Sequence, residues 1–529
     1  MKRLFFALTA AAGLWTAACG GGGGSNVQPP PPQGKYSLAS LNGTYAFMTS
    51  GEVVTAGGEA PMARVGSFVA NGQGGILGGI EDVVVSTQLN SIGTITGGSY
   101  TVSANGFGSI TLNVTSGGVP SALTFGITLT STSSGLLVDV TSSQTQASTG
   151  SGNFVLQNEA DCSNPVAAVT GSYVFDFSGL DASGAGASLI GEFTVSGGAI
   201  TTGFTDVNDN FALTNGAIQG SFANDSVNPA GTNSCGRGVA NIAGQNYEYY
   251  VVDPTRIRFI SIGTGAMLTG DAVAQSANVP TSTASFNGGF VFSLAGSSNN
   301  GGITEIGRFS ASGGNVSNVL ADVDNAGALH PSTAFSGGTI TFDAANPGRG
   351  TITFTNNSFP FTFTFYLSSA TSGVIQDTSE TTAGSGLAVD IVDGSIAAQS
   401  GSPFSNSNIT GTYAMNWSGL VTAGGAGITD EEDLVAQENI TSGSLSGTAD
   451  LFQFTSSTVT PQINLGVGGS IQFSGDGAGD DGMRSQLTVN LTGANPITFV
   501  IYFVNPQQAF FAINSGQTHL DSGILQLQQ

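Results

Sequence analysis

Histidine, cysteine and paired acids are where chemistry would have to come from, and the first two are scarce. The 529-residue chain has two histidines, His330 and His519, and three cysteines, Cys19, Cys162 and Cys235. The histidines fall at non-corresponding positions of different repeats, so they build no nucleophile–histidine–acid triad and no histidine-rich metal centre. Both are expected as isolated surface side chains. Cys162 and Cys235 have no histidine in their own repeat, which argues against a catalytic thiol. In an exported chain they can bond to each other, closing a loop of about 70 residues for about 4 kcal/mol of stability. Carboxylates remain. Asp206-Val-Asn-Asp209 and Asp322-Val-Asp324 occupy matching places in two repeats, and Asp476 and Asp480 lie in a Gly-rich stretch. Oxygen ligands at alternating positions suit calcium, although the full twelve-residue loop with its terminal glutamate is missing. Asp also marks turns simply by bonding its own backbone. The acids therefore read first as turn residues and second as calcium ligands. A hydrolase built on two of them is the weakest reading, and no catalytic residue is assigned.

The elements that must position these groups are strands. Gly43–Phe47 (Gly-Thr-Tyr-Ala-Phe) returns as Gly171–Phe175, Gly288–Phe292 and Gly411–Met415, at intervals of about 120 residues, an ordinary domain size. Each copy opens a period-two apolar row, such as Tyr173, Phe175, Phe177 or Tyr413, Met415, Trp417, which shares one face in a strand. Trp417, on such a row, is expected in a core. A second motif follows as Gly66-Ser-Phe68, Gly191-Glu-Phe193 and Gly307-Arg-Phe309, with an aspartate further on at Asp82, Asp206 and Asp322. The fourth repeat shows Glu432-Asp433-Leu434 in that role, then Asp450. Each repeat closes on a short strand near a glutamine, read as Gln157, Gln275, Gln399 and Gln526. Gly-rich turns link about eight short strands per repeat, and no helical stripe competes.

The chain is therefore expected to be all-β, with tandem antiparallel domains, each a small up-and-down barrel or, alternatively, a β-sandwich. The boundaries read as 1–18 leader, 19–36 tether, and repeats at 37–160, 161–276, 277–402 and 403–529. One membrane-spanning barrel made from the whole chain is disfavoured, because no aromatic girdle or terminal aromatic residue is evident.

Only 8% of residues are charged, so the solvent face must be made largely of hydroxyl, amide and glycine groups. The formal charge is −24, and removing Lys2 and Arg3 with the leader makes it more negative. A chain with so few cations offers no track for phosphate backbones, which excludes nucleic acid as a partner.

Met1-Lys2-Arg3, the apolar run to Trp15 and Thr16-Ala17-Ala18-Cys19 form a secretory signal too short to span a bilayer. Cysteine after Ala-Ala resembles a bacterial lipoprotein lipobox. The resemblance implies that Cys19 is lipidated (palmitate-type acylation) and becomes the mature N-terminus, and Gly20 in place of aspartate implies an outer-membrane destination. Gly20–Gly24 and Pro29–Pro32 then act as a flexible and a stiff tether. The Gly-x-Tyr strand opening is similar to the Gly-x-Trp opening of lipocalin and avidin barrels, which implies a carrier of small apolar ligands. The principal expectation is a lipid-anchored envelope protein, facing either the cell surface or the periplasm, that binds a protein or glycan, or serves structurally, through repeated β domains. No cofactor other than weakly indicated calcium is expected.

Overall fold

The computed structural model describes residues 35–529 except 56–57, 87–90, 143–146, 226–235, 264, 356–359, 383, 423–429, 456–457, 460, 474–483 and 515–517. The leader, Cys19, Cys235, Asp476 and Asp480 lie outside the described residues.

The first repeat folds as β1 (Asn42–Thr55), β2 (Gly58–Asn71), β3 (Gly75–Val85), β4 (Ser91–Val102), β5 (Phe107–Ser116), β6 (Val119–Ser131), β7 (Ser134–Thr141) and β8 (Ser148–Leu156). Every neighbour is antiparallel, and β8 returns to β1 with Tyr45 opposite Leu156 and Val53 opposite Ser148, which closes the barrel. The other repeats close in the same way. Gly171–Leu180 pairs with Met267–Ala274, Gly288–Ser298 with Ile391–Ala398, and Gly411–Val421 with His519–Leu527. In these three a ninth strand (Ala212–Ala217, Ala328–Ala334 or Thr458–Val459) folds back on the third strand outside the closed cycle. The barrel reading therefore holds over the sandwich. Closure leaves no unpaired edge within each eight-strand cycle.

The recurring Gly-x-Tyr opening has a local cause. Gly43, Gly171, Gly288 and Gly411 all have positive φ, from 96° to 127°, a region that side chains disfavour. The aromatic row beyond turns inward. Tyr45, Tyr173 and Tyr413 are buried, and their hydroxyls donate to the main-chain oxygens of Thr132, Pro254 and Pro506 in the turn after the sixth strand. These three openings are thereby tied across their own barrels; the third repeat has Phe290 there, without a hydroxyl. The interiors are filled by packed rings, for example Tyr45, Phe47, Phe68 and Phe154 in the first and Trp417, Phe499 and Phe511 in the fourth. Burial of Trp417 agrees with its place on the inward row.

The barrels are not beads on a string. The first strands of each, two or three of them, pack against the last three of the next, and the first three of the fourth barrel pack against β6, β7 and β8 of the first. The four close into a ring. The glutamine ending each repeat latches this contact. Gln157 Nε2 donates to Val251 O at 2.6 Å, Gln275 Nε2 to Leu367 O at 3.0 Å, and Gln399 Nε2 to Phe503 O at 2.6 Å. The fourth latch is Gln528 Nε2 to Leu129 O at 2.6 Å. Gln528, not Gln526, is the counterpart, because its N–H bonds the main chain of Thr412 as that of Gln157 bonds Thr44. The main chain repeats the latch: Asn158, Ser276, Ser400 and Gln529 N–H groups donate to Val252, Ser368, Val504 and Thr130. At the last contact Tyr36 also donates its hydroxyl to Gln529 O at 2.8 Å, so the two ends of the folded part meet.

Candidate functional site

Of the aspartates read as turn residues, Asp206 and Asp322 do other work. Asp206 lies within the strand Ala199–Asp209 and Asp322 within Asn315–Asn325, facing the neighbouring barrel. Asp206 accepts from Arg349 Nε and Nη2 at 2.8 and 2.7 Å and from the Tyr366 hydroxyl at 2.6 Å. Asp322 accepts from Arg484 at 2.9 and 2.6 Å and from Tyr502 at 2.5 Å. Asp82 does the same with Arg237 and Tyr250. Each is a bidentate, charge-assisted clasp between successive barrels. Calcium at Asp206 or Asp322 would have to displace a guanidinium. Asp324 does serve a turn, accepting the Gly327 N–H at 2.8 Å, and burial pushes its carboxyl up to about 6. Asp209 is held above its ordinary value by burial and by Asp181. These carboxylates are not gathered into one site. Gly236-Arg237-Gly238 and Gly348-Arg349-Gly350 were the sequence signal for the clasp; the partners lie 155 and 143 residues away.

Cys162 ends a helical turn, Glu159–Cys162, and is disulfide-bonded. Cys235, the partner expected for it, lies outside the described residues.

Polar clusters occupy the barrel interiors at the end away from the Gly-x-Tyr opening. In the first barrel Arg64 reaches Asp139 at 2.9 Å and Glu81 at 3.1 Å, and Ser148 donates to Asp139. The third barrel places Glu305, Asp377 and Asp390 together, all buried, with carboxylate oxygens within 4.8 Å of one another. Burial, then the neighbouring acids, drive Glu305 well above the carboxylate range, while burial brings Asp377 to about 7 and Asp390 to about 6. The fourth barrel gathers Glu432, His519 and Asp521.

That last group corrects two expectations. His519 is not an isolated surface histidine; its Nδ1 lies 3.3 Å from Glu432 Oε1 and 3.4 Å from Asp521 Oδ2. His330 is exposed, as expected. The second correction concerns register. Tyr45 faces Phe68, whereas Tyr413 faces Glu438, so Ala436-Gln437-Glu438 replaces the Gly-x-Phe motif; Leu434 stands in the place of Arg64 and Glu432 in that of Met62. Gly419 permits this cluster, since a Cβ there would fall 2.0 Å from Asp521 Oδ1. Burial works against a charge on His519, but Asp521 and Glu432 outweigh it and raise the imidazole to about 10. Asp521 is raised to about 8 by burial and then by Glu432. The acidic run Asp430–Asp433 was the visible signal, but nothing in sequence brings it to His519, which lies on the last strand of the same barrel.

Fold and geometry together define an all-β protein of tandem closed eight-stranded barrels. No protein-family model and no curated protein matches the chain. Among solved structures, a double mutant of transferrin-binding protein B from Haemophilus parasuis Hp5 is similar at 12% identity and a TM-score of 0.20, covering 75% of this chain and 83% of that one. Isotype 1 transferrin-binding protein B from serogroup B Neisseria meningitidis is similar at 9% identity and a TM-score of 0.17, covering 74% and 84%. Overlap this low says nothing about a ligand or partner of this chain.

Proposed function

We propose that the chain is an exported envelope protein, lipidated at Cys19 and held at the outer membrane, whose four-barrel ring is a rigid binding or structural platform. The observation that carries this reading is the ring itself: four barrels with filled interiors, joined four times by the same main-chain contact and glutamine latch. Repetition of one fold around a ring offers several similar surfaces at fixed spacing, and weak contacts on one body combine through effective concentration. The low proportion of charged residues suits contact through hydroxyl and amide groups. Among the described residues no helix is long and apolar enough to cross a membrane. The anchor of this reading is the lipid on Cys19. The lipocalin-like opening implied a ligand inside each barrel; the packed aromatic rings take up that space and favour the platform over a carrier.

The test is attachment of whole cells to defined protein and glycan surfaces, with and without the protein, and with soluble ring as competitor. Loss of attachment in its absence and competition by the ring support the platform. Unchanged attachment together with stoichiometric uptake of an apolar fluorescent probe by the purified ring would instead establish the carrier. Protease treatment of intact and permeabilised cells tells which side of the outer membrane the ring faces, and a C19A variant released from the membrane fraction checks the anchor.

A further inference from the structure

We infer that Glu432, His519 and Asp521 form a site for one divalent transition-metal ion, of the zinc or manganese class, at the mouth of the fourth barrel. Three independent observations carry it.

The first is geometric. Metal–ligand bonds of about 2.0–2.1 Å in a tetrahedral shell set neighbouring ligand atoms about 3.3 Å apart. His519 Nδ1 stands 3.3 Å from Glu432 Oε1 and 3.4 Å from Asp521 Oδ2. Those separations are tetrahedral edges, and Nδ1 makes no hydrogen bond of acceptable angle with either oxygen.

The second is unmet bonding capacity. Asp521 and Glu432 are both 0% exposed. Neither oxygen of Asp521 has a hydrogen-bond partner, nor does Glu432 Oε1. A buried carboxylate left so costs stability unless something electropositive meets it. The other oxygen of Glu432 accepts from Gln453 Nε2, which orients the carboxylate as an outer-shell partner does in metal sites.

The third is charge. The polar cluster at the same end of the first barrel is neutralised by Arg64, whose counterpart in the fourth is the uncharged Leu434. Residues 403–529 contain one arginine and no lysine, and that arginine, Arg484, is committed to Asp322. His519 is the one remaining cation there, facing Glu432 and Asp521. One imidazole and two carboxylates are a donor set for zinc, manganese or ferrous iron rather than for calcium, which favours oxygen alone. Three protein ligands leave a fourth position for water or a ligand. The all-carboxylate group of the third barrel lacks the second and third of these features and is not included.

The experiment is titration of chelator-treated full chain, without an affinity tag, using Zn²⁺ and Mn²⁺ alone. One ion per chain is expected for the wild type, and binding at least about 100-fold weaker for H519Q, since even outer-shell changes cost 10–100-fold. Circular dichroism checks that H519Q folds. The chain has two histidines, so H330A leaves His519 as the sole imidazole, and its ring resonances report directly without altering the site. They should shift on adding one equivalent of Zn²⁺. Stoichiometric binding retained in H519Q, no binding by the wild type at micromolar ion, or ring resonances that do not move would each overturn the site; in the last two cases a histidine–carboxylate proton network fills the role.

Discussion

Three contacts of the ring are held by an aspartate gripping an arginine and a tyrosine, and the fourth is not. Asp450 of the last barrel stands where Asp82, Asp206 and Asp322 stand, as its pairing opposite Val435 shows. Across from it the first barrel has Phe107 and Thr128 where the others have arginine and tyrosine. Asp450 makes do with the Asn464 N–H at 2.8 Å, and burial pushes its carboxyl up to about 6. Around it the contact turns apolar, with Leu136, Val138 and Val140 of β7 in one buried cluster with Val435, Phe452 and Phe454. The backbone contact and the glutamine latch are the same in all four. The docking geometry is thus set by strand shape and main-chain bonding, and the outward side chains satisfy it by either route.

Breaking a charged contact should do the most damage. Arg237, whose side chain is fully buried, meets Asp82, Glu248 and Asp225. R237A strands those acids and should cost about 3–5 kcal/mol by denaturant unfolding, since an uncompensated buried charge is the dominant penalty. F107A in the fourth contact removes packing alone and should cost less. A cost for R237A no greater than for F107A would remove the distinction.

Acidity separates the contacts next. The folded carboxyl of Asp450 lies above its unfolded value, so its favourable contribution is complete below pH about 4 and disappears as pH rises through about 6. Hydrogen exchange in β6–β8 should quicken over that window in the wild type and lose this dependence in D450N. Similar exchange in both proteins at every pH would show that Asp450 does not govern the contact. Smaller still is the latch. Q157A, Q399A and Q528A should each lower stability by about 1 kcal/mol, the net value of one hydrogen bond, and by similar amounts. A markedly larger loss in Q528A would mean that the apolar contact depends on its latch more than the charged ones do. The smallest effect is expected from F107R/T128Y, which installs the missing pair opposite Asp450. Desolvation offsets most of the attraction, so the gain in thermal unfolding should not exceed about 1 kcal/mol.

How much of this could be read from the chain follows from which face of a strand a residue occupies. Inward rows repeat every second residue, so Tyr173-Val-Phe175-Asp-Phe177 declares a strand and its core side unaided. Outward residues carry no such period. Asp206 looked like a turn residue because its partner Arg349 lies in the next repeat, and sequence spacing holds no information about docking. The fourth repeat hid its register because Glu438, a buried acid raised to about 8 by burial, occupies the place of Phe68. His519 was misjudged for a related reason: closure brings the last strand of a barrel round to its first and so near its second, where Glu432 lies, and these are far from it in sequence.

The meeting of Tyr36 with Gln529 has a consequence for assembly. Each barrel presents two different complementary faces, a head-to-tail arrangement that, on separate chains, forms either a cyclic oligomer or an endless fibre. Here covalent linkage fixes the count at four and the rotation returns the last face to the first, making the monomer an internal counterpart of a fourfold-symmetric tetramer. Excising one repeat would leave a head and a tail with no mate in their own chain, and polymerisation between molecules would follow.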